Sequence, residues 1–534
     1  MVKASDLLVE CLESEGIEYV FGVPGEELED LLFSLRDSDI RFVPTRHEQG
    51  AAFMADVHGR LTGEAGVCLS TLGPGATNLM TGVADAHLDK SPLVAITGQG
   101  GRERLHKESH QALDVVHMFE PIVKWNTQLG EPEIVAESVR KAFKLAEHEK
   151  PGATHLEFPE DVAAEETTDT PLPARERVRR PDPDPDSVER AATLLERAER
   201  PIVLAGNGAV RTRSRGAGRG SESANRLREL VEKMGLPVVA TYMGKGAISD
   251  REPHSLMTLD SGPDGEAADA IEDADCVLAV GYDIAEHDPA GWNPEIGTTI
   301  IHLDHEPAEV YRHYNPEVEI VADIPASLRA IGESVDPRSG KSWCSDVHDR
   351  IVENATRRPD DEPFSVRRTL PILREAMADE DVLLSDVGSH KMAIAQAFPT
   401  YEPNTCIVSN GLASMGISVP GGLAADLACG SNVVAATGDG GFLMNGAEIE
   451  TATRLGLDYT ILLFNDDDYG LISEKQDEHL SEHFGTELSN PDFVALAESF
   501  GIDGYRPGSW DELEEVLEEV VPSEGMALVE VRLE

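Results

Sequence analysis

Residues 438–441 read Gly-Asp-Gly-Gly directly after the apolar run VVAAT, and 27 residues beyond Asp439 the run DYTILLFN ends in Asp466, Asp467 and Asp468. A glycine turn that opens a helix points backbone N–H groups and the positive end of that helix outward, a ready cradle for an anion. Carboxylates beside such a cradle suit a divalent cation, and Mg2+ takes oxygen ligands while bridging one or two carboxylates to phosphate. Acidic residues are nearly one in five of the chain, so the Asp triplet alone reads as a solvated turn. Placed one strand–helix unit after the glycine turn, it favours a metal–diphosphate site. A third carboxylate, Glu48, stands between the strand RFVPT and an Ala-rich helix. A lone acid at a helix start is by default a dipole partner. Here the small apolar face of Gly50, Ala51, Ala52 and Ala55 packs around it, the surroundings of an active-site carboxylate.

Weaker signals are set aside. Gly206-Asn-Gly208 lacks a third glycine, Arg211 standing in its place, and the strand PVVATY ends without an acid for a ribose hydroxyl, so it reads as a tight turn. SGKS at 339–342 follows no strand and has Val335 where a phosphate loop needs glycine. The Arg- and Gly-rich stretch 211–223 reads as an exposed loop.

The elements that must carry these residues are strand-then-turn units alternating with amphipathic helices, the pattern of parallel α/β folds. EYVFGVPG, RFVPTRHE, AGVCLSTLGPG and PLVAITGQG fall within the first hundred residues, followed by a Pro-rich linker at 167–186. PIVLAGNG, LPVVATYMGKG, DCVLAVGYDI and TTIIHLDHEP form a second series; VLLSDVGSH, CIVSNG, NVVAATGDGG, YTILLFNDDD and MALVEVRLE form a third. Three consecutive doubly wound parallel-sheet α/β domains follow, at 1–168, 187–333 and 346–534. Successive parallel strands deliver their carboxyl ends to one edge, so Asp439 and the acidic turn share that edge.

With 45 basic against 99 acidic residues, the net charge of the 534-residue chain is −54, dispersed throughout. Such a field opposes binding to nucleic acid or an anionic membrane and suits a protein working in concentrated salt, where the Debye length is a few Å. Six cysteines form no CxxC pair, the N-terminus carries acids through its apolar stretch, and no apolar run reaches membrane-spanning length. A cytoplasmic, high-salt (halophilic) setting is the expectation.

Taken together, FGVPG, RHEQGAAFMA, STLGPGATNLMTGVADAHLDKSPLVAITG, HLEFPEDV, SNGLASMG and GDGGFLMN followed by NDDDYG resemble the thiamine diphosphate-dependent superfamily of acetohydroxyacid synthase and pyruvate decarboxylase. HQALDVVHMFEPIVKW and VGYDIAEHDPAGWN are most similar to the acetolactate synthase family, on its catabolic, flavin-free side. The resemblance implies a pyrimidine-binding first domain, a Rossmann-like centre and a diphosphate- and Mg2+-binding third domain. It implies that Glu48 hydrogen-bonds the cofactor's aminopyrimidine for acid–base work, that Met415 props the bent cofactor, and that the Met415 N–H and Ala413 carbonyl grip its pyrimidine. It further implies that Asp439, Asp466 and the Asp468 carbonyl bind Mg2+, and that Ser389, His390, Gly438, Gly440 and Gly441 face the diphosphate. Gly22, Gln111 and Lys124 match positions near the reacting carbon, and Lys475 is a candidate in the acceptor-selecting loop. The implied activity is decarboxylation of pyruvate and its joining to a second 2-oxo acid, giving 2-acetolactate, in a homodimer or homotetramer with active sites at the dimer interface.

MTLDSGP stands where the FAD-containing branch carries an LGMHGT-like loop, which points away from FAD, although the central scaffold leaves room for it. The acceptor acid, a regulatory subunit, and a catabolic or biosynthetic pathway stay open. The rival readings are a sister 2-oxo acid decarboxylase, oxidase or carboligase, and a non-catalytic nucleotide- or metabolite-binding α/β protein. The intact set of Glu48, Asp439 and Asp466 opposes the latter.

Overall fold

The computed structural model describes residues 1–173, 180–212, 221–262, 265–338, 342–360 and 363–533. Most of the Arg/Gly-rich stretch (213–220), the centre of the Pro-rich linker (174–179) and residues 339–341 of SGKS lie outside them. Three six-stranded sheets carry the fold, and every strand pairing within them is parallel.

The first sheet comprises β1 (Tyr19–Gly22), β2 (Arg41–Pro44), β3 (Gly66–Ser70), β4 (Leu93–Gln99), β5 (Trp125–Gln128) and β6 (Ala153–Pro159), in the order β2-β1-β3-β4-β6-β5. The second comprises β7 (Pro201–Ala205), β8 (Val238–Ala240), β9 (Ser255–Thr258), β10 (Cys276–Val280), β11 (Thr299–Asp304) and β12 (Val318–Val321), in the order β9-β8-β7-β10-β11-β12. That is the dinucleotide-fold order 3-2-1-4-5-6. The third comprises β13 (Val382–Ser385), β14 (Cys406–Val408), β15 (Val433–Gly438), β16 (Thr460–Asn465), β17 (Asp503–Tyr505) and β18 (Ala527–Arg532), in the order β14-β13-β15-β16-β18-β17. It repeats the winding of the first. In such sheets ligands bind beyond the carboxyl ends of the strands, where the winding reverses direction: beside β1 and β3 in the first sheet, beside β13 and β15 in the third.

The chain divides into two compact units: Met1–Val178 with Leu412–Gly430 and Phe442–Leu457, and Arg179–Gly411 with Ser431–Gly441 and Asp458–Glu534. In the first unit, Leu7, Leu8, Val67, Val94, Phe143 and Leu156 fill one side of the sheet. On its other side the helix Glu48–Thr62 lies against the helix Pro74–Leu88 and the helix Ser418–Ala428. Small residues set that spacing: a Cβ on Gly82 would stand 2.6 Å from the Ala52 Cβ. In the second unit the central sheet is packed on both faces and the third sheet has its own core around Leu383, Phe398, Val434 and Leu462. No disulfide joins the six cysteines, and among the described residues no helix is long and apolar enough to cross a membrane.

Candidate active site

Glu48 is the first residue of its helix, at the carboxyl edge of the first sheet. The strand β2 ends at Pro44, Thr45 donates its N–H to the Gly22 carbonyl (2.9 Å), and the His47 ring Nδ1 caps the helix by accepting from Gln49 N–H (3.1 Å). The Glu48 carboxylate is buried, and its Oε2 accepts from Asn78 Nδ2 at 3.0 Å. A residue that the sequence motifs did not single out fixes this approach. Glu448, only 1% exposed, accepts the N–H groups of Arg46 (3.0 Å) and His47 (3.0 Å) and the Thr451 hydroxyl (2.6 Å). Burial raises the Glu448 carboxyl above the ordinary carboxylate range, against those hydrogen bonds. Gly50 is what admits it, since a Cβ there would come within 2.6 Å of Glu448 Oε1.

Gly22 ends β1 on the same edge, where a Cβ would strike the Leu69 carbonyl at 2.2 Å. Gln111 is exposed with φ 57°, and its carbonyl lies 2.7 Å from where a Cβ on Gly73 would be, just before the helix bearing Asn78. Ala413 (φ 55°), Ser414 and half-buried Met415 form a turn in the same unit, held by Ser414 N–H donating to Asp85 Oδ1 (3.4 Å) and by Asn445 Nδ2 donating to the Gly416 carbonyl (2.9 Å). Lys124 is placed elsewhere. It precedes β5 at the amino edge of the sheet, and its ammonium donates to the carbonyls of His148 (2.7 Å) and Lys150 (2.6 Å). The structure does not bring it to Glu48, because it stands before a parallel strand rather than after one.

In the second unit, β15 ends at Gly438 and Asp439 opens the helix Asp439–Asn445, while the neighbouring β16 runs into Asp466. The Asp439 and Asp466 side chains share a hydrogen bond, and burial together with the Asp439 charge holds the Asp466 carboxyl up at about 7. Asp466 Oδ1 accepts the Asp468 N–H (3.2 Å). Asn490, a further residue the motifs did not mark, donates to Asp439 Oδ2 (2.5 Å), Asp467 Oδ1 (2.9 Å) and Asn465 Oδ1 (3.2 Å). Beyond β13, Ser389 and His390 open the helix Ser389–Ala397. A Cβ placed on Gly470 would lie 2.6 Å from Asp466 Oδ2 and 3.5 Å from the Ser389 hydroxyl. Side chains at Gly438, Gly440 or Gly441 would meet the His390 ring (3.2 Å), the Tyr469 ring (2.7 Å) and Asp386 (3.0 Å).

These residues fit a Mg2+–diphosphate group. His390 is buried and held neutral, its pKa lowered to about 4 by desolvation, and its Nε2 has no hydrogen-bond partner among the described residues. Burial raises both carboxyls, and the Asp439 charge raises Asp466 further, so a shared cation would relieve the pair. Among the described residues no three His, Cys, Asp or Glu side chains converge to enclose a metal. A cation here therefore uses two carboxylates and completes its shell with backbone and ligand oxygens, the usual Mg2+ arrangement.

Comparison with known proteins shows the family of the chain. Residues 2–118 match "Thiamine pyrophosphate enzyme, N-terminal TPP binding domain", 188–331 the central domain and 386–531 the C-terminal TPP binding domain of the same family. The chain is 33% identical to a protein named acetolactate synthase from Bacillus subtilis, over 99% of this chain and 93% of that protein. The chain belongs to the acetolactate synthase family of thiamine diphosphate enzymes. Other members of that family include a probable acetolactate synthase large subunit of Methanocaldococcus jannaschii (33%; 99% and 92% covered) and a catabolic acetolactate synthase of Raoultella terrigena (32%; 99% and 94% covered).

The central sheet gives no support for FAD. At the turn after β7, where a dinucleotide diphosphate would lie, the Asn207 N–H is taken by the buried Glu286 carboxylate at 3.1 Å. A Cβ on Gly206 would sit 2.4 Å from the Gly281 carbonyl, so the two turns pack backbone against backbone.

Proposed function

We propose that the chain is an acetolactate synthase that takes pyruvate as donor and a second pyruvate, or a related 2-oxo acid, as acceptor, with thiamine diphosphate and Mg2+. The observation that carries the reading is the Asp439–Asp466 pair beside the glycine turn and the Ser389–His390 helix start, in a chain whose relatives bear the name acetolactate synthase along their whole length.

When bound, thiamine diphosphate supplies the carbanion chemistry by which one 2-oxo acid loses CO2 and is joined to another. Asp439, Asp466 and the Asp468 carbonyl hold Mg2+. Ser389, His390 and the N–H groups of Gly440 and Gly441 receive the diphosphate. Ala413 and Met415 grip and prop the pyrimidine, and Glu48, kept in place by Asn78, hydrogen-bonds it and moves its proton. Gly22 and Gln111 border the substrate; no such role is proposed for Lys124. The segments 1–168, 187–333 and 346–534 act as pyrimidine, central and diphosphate domains of a homodimer or homotetramer with active sites at the dimer interface, in a concentrated-salt cytoplasm.

The test is product analysis with pyruvate in molar KCl, with and without thiamine diphosphate and Mg2+. Acetolactate that requires both cofactors is the expected product. Acetaldehyde or peroxide instead would move the chain to a sister reaction.

A further inference from the structure

The helix Ser389–Ala397 carries Ser389 and His390 at its first turn, and the carbonyls of its last turn have no partners within the helix. Three side chains from the central segment 245–261 supply them. Lys245 Nζ (3.3 Å) and Thr258 Oγ1 (3.0 Å) both donate to the Ala395 carbonyl, and Ser261 Oγ donates to the Gln396 carbonyl (2.6 Å). All three are buried, Thr258 and Ser261 completely and Lys245 at 3% exposure. Just past the helix, Asp250 holds the chain on both sides: its Oδ2 accepts the Thr400 N–H (2.7 Å) and its own N–H donates to the Thr400 carbonyl (3.0 Å). The amino end has a tie of its own outside that segment: Lys391 donates to Asn410 Oδ1 (2.9 Å), and Asn410 Nδ2 donates to the Glu286 carbonyl (3.0 Å).

A buried cation at the negative end of a helix is favourable, and donors on the final carbonyls fix where that end lies. Nine residues of helix form a rod only about 13 Å long, so fixing its carboxyl end constrains its first turn together with the Lys391 tie.

We propose that Lys245, with Thr258 and Ser261, is a positioning group for the diphosphate end of the cofactor site. The central segment thus serves the reaction by clamping the far end of the Ser389–His390 helix. This rests on the reading that Ser389 and His390 face the diphosphate.

The test uses the full-length chain freed of cofactor, with Lys245→Met, Lys245→Arg and Thr258→Val, and calorimetric titration with Mg2+–thiamine diphosphate and with Mg2+ plus inorganic pyrophosphate. Lys245→Met should raise both dissociation constants in parallel by roughly five- to tenfold. Thr258→Val should raise them less, Lys245→Arg should restore most of the loss, and KM for pyruvate at saturating cofactor should stay unchanged. A lowered unfolding midpoint with both dissociation constants unchanged would reduce the contacts to structure alone and overturn the proposal, as would a loss confined to thiamine diphosphate. Should Lys245→Met fail to fold, Thr258→Val decides by the same readout. Wild-type chain that binds pyrophosphate but forms no acetolactate would defeat the proposed reaction and leave this test standing; wild-type chain that binds no pyrophosphate would end the proposal.

Discussion

Glu448 stands 402 positions after Arg46 in the chain, yet its carboxylate accepts the two N–H groups that lead into Glu48. Burying those donors without an acceptor costs about 1–3 kcal/mol each. Glu448→Ala should therefore lower stability by about 2–5 kcal/mol and, by loosening the turn, cut turnover more than it raises KM. Glu448→Gln keeps one acceptor oxygen and should lose less. Urea unfolding and steady-state rates on both variants decide; an alanine variant as stable and active as wild type would remove Glu448 from the site. What was legible at this scale follows from chain geometry. Glu48, Asp439 and Asp466 each follow a strand at its carboxyl end, a place that the local pattern marks. Asn78, Asn490 and Glu448 were not legible, because they act through partners 30, 51 and 402 positions away with no local signature. Lys124 stands before its strand, at the amino edge, and a motif match carries no information about which edge of the sheet a residue reaches.

At the scale of elements, the strands read from sequence are nearly all inner strands, whose burial on both faces forces continuous apolar runs. Those not read include the edge strands β5, β9, β12 and β17. Of these, β5 (WNTQ) is half-buried along its length, β12 alternates buried and exposed residues, and β17 (DGY) is partly exposed. Those three are short and meet solvent, so they lack the signal that inner strands must carry, whereas β9 is buried throughout and the edge strands β2 and β14 are legible. The helix pair that flanks Glu48 depends on a feature of another kind, the close approach at Gly82. Gly82→Ala places a Cβ 2.6 Å from the Ala52 Cβ and 3.0 Å from the Phe53 amide, with rigid backbone behind it. It should cost about 1–3 kcal/mol of stability and shift Asn78 relative to Glu48. A thermal midpoint indistinguishable from wild type would mean that the helices can separate freely and that the spacing is not set at this residue.

Over the whole molecule, 99 acidic residues face 45 basic ones, and the ion pairs show the consequence. Arg102 faces Asp161 and Glu165, Arg104 faces Glu27 and Glu160, Arg358 faces Glu375 and Glu514, and Arg506 faces Asp492 and Glu530. Cations are shared between carboxylates, and the surplus carboxylates repel one another. Surface pairs contribute only about 0–1 kcal/mol each and salt weakens them, whereas the repulsion acts across the entire surface and is lifted by the same salt. Raising ionic strength from about 0.1 M to about 1 M shortens the Debye length from about 10 Å to about 3 Å. The thermal midpoint should therefore climb steadily with KCl over that range, and NaCl should act alike because screening depends on ionic strength, while sucrose should not reproduce the effect of charge. A flat or falling midpoint in KCl would show that the arginine-centred pairs outweigh the repulsion, and that the acidity serves solubility alone rather than folding in concentrated salt.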